Sequence, residues 1–516
     1  MAFLGKYDPD TGGQSTYNYV ILRCFISNYF YWQDVLTSVI QAQFAFMVEQ
    51  LEKLLSQPVP EKRLVRIELP LPAIHLQGFL AAQDCSEKAF WRDREGDYAI
   101  AALGYSWSEK LSCRKDLTSV FTSVRKLLNH LPEHASSQCL CYLSFADDQR
   151  SVWPAFGYGM VILPLLELVQ TRKGMVLGVN LRSDNAIEYH NSIRKALDII
   201  AALNFSQQLP EADFTFQLEG YQPDSNAWSQ LVGKARQVFV SGVLDKVVLS
   251  RETCLKLEGQ ISPFSLLYAW QQANPHSYQF LFQGEGQTFF GCSPERLVKR
   301  LENIISTEAL AGTIVRGQNQ LEDSQLESLL MNDSKNIHEN RLVLDDICHK
   351  LQPLCQSLEA DRSHSIVKLR HIQHLRYQIR GILNRDVCDE QLLDVLHPTP
   401  AVGGAPREEA LSFIEANEPY ARGLYAGVCG IVGVRKSDFS VAIRSARLVD
   451  NALMLYSGAG IVKDSAAEDE WAELNNKIAT VLDILDRQKT SKDGIAVLSG
   501  QAGQYVDSNH DFAALS

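Results

Sequence analysis

The amino-acid sequence predicts an α/β protein, of the α+β kind, on three observations. Runs such as DYAIAALGYSW, CLCYLSF, GYGMVILPLLELV and GMVLGVNLR read as strands, a helical stretch lies among them, and the same mixture returns in the second half. At 516 residues the chain exceeds what one core usually supports, so two related halves, or one large double-layered unit, are expected. A hydrophobic content of 46% and a charged content of 21% are ordinary for a globular chain.

Charge and cysteine usage narrow the class. A formal net charge of −12 supplies no basic face for nucleic acid or an anionic membrane, so neither partner is expected. The 11 cysteines, odd in number and without a CxxC pair, read as reduced thiols of an intracellular protein. No uninterrupted apolar run reaches the ~18 residues of a membrane span. The opening MAFLGKYDPDTGG carries neither a basic-then-apolar signal nor an Arg-rich transit pattern, and a cytoplasmic location is expected.

In chain order, residues 35–55 read as an amphipathic helix and 64–69 alternate as a strand among Pro58, Pro60, Pro70 and Pro72. The strands named above follow, with a helix at 117–131. Residues 209–224 are polar and aperiodic, which sets a boundary between an N-terminal half (1–223) and a second region (224–485). There Trp228, Leu231, Val232, Ala235, Val238 and Phe239 recur at helical spacing, with Asp224 or Ser225 as cap and Gly242 as stop. Lys246 then heads the strand DKVVLSR. A helix at 262–272 and a hairpin, SYQFLFQG and QTFFGCS, turning around Gly284 and Gly286, come next. Helices are expected at 320–330, 335–351 and 367–380, followed by the loop HPTPAVGGAP. Strands return in GLYAGVCGIVGV, FSVAIRSARLV and ALMLYSGAGIV, a last helix covers 467–484, and 486–516 form a polar tail expected to be mobile.

Five local features can carry chemistry. Lys246, taken alone, reads most simply as a lysine at a strand end reaching water. Glu470, Glu473 and Lys477 share one face of the last helix, usually the mark of a solvated ion-pair ladder. Glu339, opposite the apolar Ile337, Leu342, Val343 and Ile347, is by itself an ordinary surface carboxylate. Two glutamates from separate helices also suit a hard divalent cation that keeps positions open to substrate. Glu295, in SPERL, reads equally as a buried carboxyl of raised pKa fit for general acid work or as the first turn of a helix begun by Ser-Pro. In SGAGI the glycines free backbone N–H groups to converge on an anion, and Arg444, read as outward-facing from a strand, is a bidentate clamp for carboxylate.

The order of the motifs is more specific than any one of them. DKVVLSR, SPERL, EALAGT, the helix of Glu339, HPTPAVGGAPREEA, EPYARGLYAGVCG, AIRSAR and SGAGIVKDS followed by EWAELNNK resemble the chorismate-utilising enzymes over residues 224–485. That family includes anthranilate, aminodeoxychorismate, isochorismate and salicylate synthases, and residues 1–223 resemble its more divergent first part. The resemblance implies two antiparallel sheets packed face to face with helices outside, and a site between them nearer the C-terminal half. Members that add water carry lysine where Lys246 stands, and members that form a covalent lysine adduct carry it where this chain has Ala311. The resemblance therefore implies an isochorismate synthase, an isomerase moving the hydroxyl of chorismate from C4 to C2. Salicylate synthase, which also expels pyruvate, is the alternative.

The same resemblance implies roles by position. Lys246 becomes the base on water and Glu295 the acid on the departing hydroxyl. Mg²⁺ falls to Glu339 and Glu473, with Glu470 as a helper through water. Arg444, Tyr425, Gly458, Gly460 and Lys477 hold the carboxylates, Ala401 and Val402 line the ring, and His397 stands between substrate contact and structural hydrogen bonding. Asn340 replaces a histidine that many members carry. No Cys-His-Glu triad of an amidotransferase is present, so no such subunit is expected; chorismate is the expected partner and a monomer the expected state. The product's destination stays open between menaquinone or phylloquinone and a catechol siderophore or salicylate, with the chain length leaning to the quinones. The chemistry agrees: hydroxide leaves poorly, so an acid must protonate it while a base sharpens water. A lysine near pKa ~10.4 is protonated at neutral pH, so burial beside Val247 and Leu249, or a nearby cation, is expected to lower it.

Overall fold

The computed structural model describes residues 37–60, 63–130, 138–147 and 153–488. The expected tail beyond residue 488 lies outside them. Among the described residues the strands form one hydrogen-bonded network of 20, branching at Gly159–Thr171. That strand pairs antiparallel with Tyr98–Leu111 along one edge and with both Cys139–Leu143 and Gly174–Arg182 along the other. One layer continues through Lys88–Arg92, Tyr278–Gly284, Gln287–Ser293, Ser445–Val449 and Ala452–Ile461 to Lys246–Gln260. A second continues from Cys139–Leu143 through Val428–Val432, Lys436–Val441, Arg296–Leu301 and Ile304–Val315 to Ile372–Leu383.

Side-chain alternation explains why these strands stack. Phe280, Phe282 and Phe289 of the first layer share a core with Val428, Ile431, Phe439 and Val441 of the second. Their sequence neighbours Leu281 and Phe290 point the other way, into a core with Ile193, Leu266, Leu267 and Val481 from helices. The first layer is thus buried on both faces, which is why its strands read as continuous apolar runs. Two antiparallel layers with helices outside are the expected architecture, here joined by a shared strand.

Local signals hold where side chains do the capping. Asp224 accepts from the Ala227 amide to open the helix Ser225–Val240, and Ser262 accepts from Ser265 ahead of Pro263. Gln287 pairs opposite Gly284, leaving Glu285 and Gly286 at φ 50° and 75° as the two-residue turn. Two expectations fail. Residues 367–380 are not a helix but parts of the strands Ser365–Lys368 and Ile372–Leu383, with Leu375, Tyr377 and Ile379 buried in alternation. Leu, Arg and Gln favour a helix locally, but pairing with Ile304–Val315 overrides that weak preference. The stretch 209–224 contains the strand Asp213–Gln222, which pairs with Lys246–Gln260 and is largely exposed, hence its missing periodicity. Among the described residues all ten cysteines are free, and no helix is long and apolar enough to cross a membrane.

Candidate active site

One cavity of about 650 Å³, its open mouth included, collects most of the expected residues. Glu295, Glu339, Ala401, Val402, Tyr425, Arg444, Gly458, Gly460, Glu473 and Lys477 all line it, as does Ala311. Lys246 joins through its Nζ, 2.9 Å from Glu339 Oε1, on a fully buried side chain. Val248, two residues on and on the same face of the strand, lines the cavity, whereas Val247 and Leu249 enter the apolar core.

The glycines serve differently from expectation. Gly458 and Gly460 lie within the regular strand Ala452–Ile461, opposite Ser250 and Val248, and neither has a positive φ. They form no anion-binding turn. A Cβ at Gly460 would sit 2.6 Å from Glu339 Oε1 and 3.1 Å from Lys246 Cε, and one at Gly458 would sit 2.7 Å from Tyr425 Oη. Their missing side chains let a carboxylate and a phenol lie flat against the strand.

Glu339 rides on the helix Ser334–Leu351, which Asp333 caps. Its neighbour Asn340 is fully buried and its Nδ2 donates to the carbonyls of Ala309 (3.3 Å), Ala311 (2.9 Å) and Leu375 (3.0 Å). The position where the resemblance favours histidine is therefore a clamp fixing the helix to two strands beneath Glu339. Glu473 lies on Ala467–Gln488, paired to Lys477, whose Nζ also donates to the Gly458 carbonyl at 2.7 Å. Glu470 does not line the cavity. It is buried with Lys335 Nζ at 3.1 Å, and burial, then the charge of Glu473, raises its pKa.

Glu339 and Glu473 are hard oxygen donors on two helices facing one cavity, and that chemistry fits a hard divalent cation. Each is ion-paired to a lysine, so each position already holds positive charge. Asp93, Glu95 and Asp438 bring three carboxylates closer together elsewhere, but Lys299 bridges Glu95 and Asp438 and Arg296 pairs with Glu95, so cations already neutralise that cluster.

No helix starts at Glu295. It occupies the two-residue link between Gln287–Ser293 and Arg296–Leu301, almost wholly buried. Burial, and then the charge of Glu308, raise its pKa to about 8 against the opposing pull of Lys246 and Lys477. Near neutrality the carboxyl holds its proton. Arg444 is not in a strand either: it sits at φ 49° between Lys436–Val441 and Ser445–Val449, with Nη1 donating to the Lys477 carbonyl at 2.9 Å. Burial lowers its guanidinium to about 10.

His397 lies off the cavity lining. Its Nε2 is 3.0 Å from the Ala426 carbonyl, and burial lowers it to about 3, so it is a neutral ring in a structural hydrogen bond. Sequence reasoning missed Thr313 and His374, which line the cavity and lie 3.0 Å apart, Oγ1 to Nδ1. They face each other across a bulge at Gly312 (φ 78°). It also missed Arg422, fully held by Glu418, which donates to the carbonyls of Val402 (2.9 Å) and Val248 (2.6 Å) and so ties the HPTPAVGGAP loop to the lysine strand.

A double antiparallel layer with one cavity that gathers carboxyl groups, two lysines and an arginine around a proline- and glycine-rich loop has the make-up of an enzyme site suited to a small polyanion. Residues 49–486 match the chorismate binding enzyme family, and the chain belongs to it. The isochorismate synthase MenF of Escherichia coli (strain K12) is 35% identical over 446 residues, covering 86% of this chain and 98% of that protein. The isochorismate synthase MenF of Bacillus subtilis (strain 168) is 30% identical over 78% of this chain and 88% of that one. The solved structure of MenF, the menaquinone-specific isochorismate synthase from Escherichia coli, aligns with a TM-score of 0.75 at 33% identity, over 85% of this chain and 98% of its own.

Proposed function

We propose that this chain is an isochorismate synthase, converting chorismate reversibly to isochorismate by adding water at C2 with loss of the C4 hydroxyl. The observation that carries the reading is one cavity fed by both a buried lysine, Lys246, and a buried carboxyl, Glu295, whose pKa burial raises to about 8. Ala311 at the wall leaves no lysine there for a covalent adduct.

In the forward direction Lys246 takes a proton from the attacking water and Glu295 gives one to the departing hydroxyl. The reverse reaction uses the opposite states. Arg444, Lys477 and the Tyr425 hydroxyl meet the two substrate carboxylates, and Ala401 and Val402 pack on the ring. A dianionic substrate brings two further negative charges to a site that already holds the carboxylates Glu339 and Glu473, each paired to a lysine. A divalent cation held by Glu339 and Glu473 would offset that charge, and we assign it as Mg²⁺. Its chemistry when bound is Lewis-acid draw of charge toward the ring carboxylate. The reaction consumes no ammonia and needs no amidotransferase subunit. By its likeness to the menaquinone-specific relative, we assign the product to menaquinone biosynthesis.

Incubation with chorismate and Mg²⁺, followed by chromatography, tests the reading. Isochorismate is the expected product, reached from either side. Release of pyruvate with salicylate would move the chain to the salicylate synthases.

A further inference from the structure

We infer that Glu308 and Arg94 are positioning residues for Glu295, holding the peptide units on both sides of the acid; the inference rests on the isochorismate synthase reading above. Glu295 lies in a two-residue link between strands, where no ladder of hydrogen bonds fixes the backbone. One buried ion pair takes over that task. Arg94 Nη1 and Nη2 donate to Glu308 Oε1 and Oε2 at 2.5 and 2.9 Å. Arg94 Nη1 also donates to the Pro294 carbonyl at 3.0 Å, just before the acid. Glu308 Oε1 accepts from the Arg296 amide at 3.1 Å, just after it. Glu295's own amide meets Ser293 Oγ at 3.3 Å, and its carbonyl accepts from the Val441 amide at 3.2 Å. Every polar backbone atom from the Pro294 carbonyl to the Arg296 amide thus has a partner, and the two outermost both use this ion pair.

The pair spans 214 positions of sequence, with side chains 14% exposed for Arg94 and 2% for Glu308. A buried ion pair of this kind repays its desolvation poorly when stability is the only return. Its contacts go to the acid's backbone instead. Glu308 also acts on the carboxyl itself: after burial, its charge raises the pKa, while Lys246 and Lys477 oppose from the lysine strand and the last helix. Tyr425, which also feels Glu295, is held neutral by burial. Arg94 and Arg296 are occupied by Glu308 and Glu95.

The test is a double-mutant cycle on the full chain with Mg²⁺, reading kcat, KM and the pH profile of isochorismate formation, with folding checked by thermal melting. Glu308→Gln is expected to lower kcat on the order of 10- to 100-fold through misplacement of the acid, with KM for chorismate near wild type. It should also move the alkaline fall of kcat to lower pH, because the charge that holds the Glu295 proton is gone. On a Glu295→Gln background the same change should cost nothing further. Arg94→Lys keeps the charge but loses the fork, so kcat should fall with the alkaline limb in place, and this variant decides the matter if Glu308→Gln does not fold. Wild-type kcat in either folded variant, a loss carried by KM, or full additivity with Glu295→Gln overturns the inference. Failure of the underlying reading is separate: it is a Glu295→Gln enzyme that still turns over at near the wild-type rate.

Discussion

Gly460→Ala is the smallest change that tests how the site is built. The new Cβ would lie 2.6 Å from Glu339 Oε1, where ordinary contact begins at 3.4 Å, so the carboxylate must retreat by roughly 0.8 Å, and a displacement near 1 Å at a reacting centre can cost on the order of 10²-fold. Lys246 Cε, at 3.1 Å from the same point, must give by a few tenths of an ångström more. The strand itself should tolerate alanine, because Gly460 has no positive φ and sits in a regular ladder opposite Val248. The variant is therefore expected to melt near the wild-type temperature while losing 10- to 100-fold in kcat/KM, on the order set by that displacement, with a higher Mg²⁺ requirement. Chorismate turnover followed across a Mg²⁺ titration measures both. Wild-type activity and metal dependence in a folded Gly460→Ala protein would refute the claim that Glu339 lies over this strand to hold the cation.

Other outcomes follow from the same geometry. Lys246→Ala and Glu295→Gln should each lower turnover on the order of 10²- to 10⁴-fold while chorismate binding, measured calorimetrically, survives through Arg444, Lys477 and the cation. If Lys246→Ala loses binding with chemistry intact, the lysine is a carboxylate clamp. Glu339→Gln or Glu473→Gln should abolish Mg²⁺-dependent turnover in a folded protein, and near-normal activity at low Mg²⁺ would contradict the ligand assignment. The forward rate should fall as pH rises through about 8, where Glu295 loses its proton. The same raised pKa has a stability consequence with a definite sign: the folded state binds this proton more tightly than the unfolded chain, so the contribution is full below the unfolded value of 4.5 and is lost as pH rises through about 8. Glu295→Gln should accordingly narrow the loss of melting temperature between pH 5 and pH 9, and an unchanged slope would speak against a buried, protonated Glu295.

Motif order made the centre of the site readable. Lys246, Glu295, Glu339 and Glu473 stand in recognisable strings, and the structure brings all four to one cavity. What the strings conceal is direction. Gly458 and Gly460 suggest a turn because glycine permits one, yet here they clear space on a flat strand. Arg444 suggests strand alternation, yet a left-handed backbone turns it into the cavity beside Lys477. His374 was hidden by a wrong period: with residues 367–380 read as a helix, no reason remained to aim it at Thr313. Pairs such as Arg94 with Glu308 are invisible in sequence because only the layering of distant strands brings them together.

The central claim is that water, activated by Lys246, adds to the ring as the old hydroxyl leaves with a proton from Glu295. Conversion of chorismate in H₂¹⁸O with Mg²⁺, with mass analysis of the product, tests it most directly. One ¹⁸O in each newly formed isochorismate, without release of pyruvate and with labelled product forming far more slowly in Lys246→Ala, is the predicted result. Isochorismate carrying only unlabelled oxygen at early conversion, or a product other than isochorismate, would contradict the account.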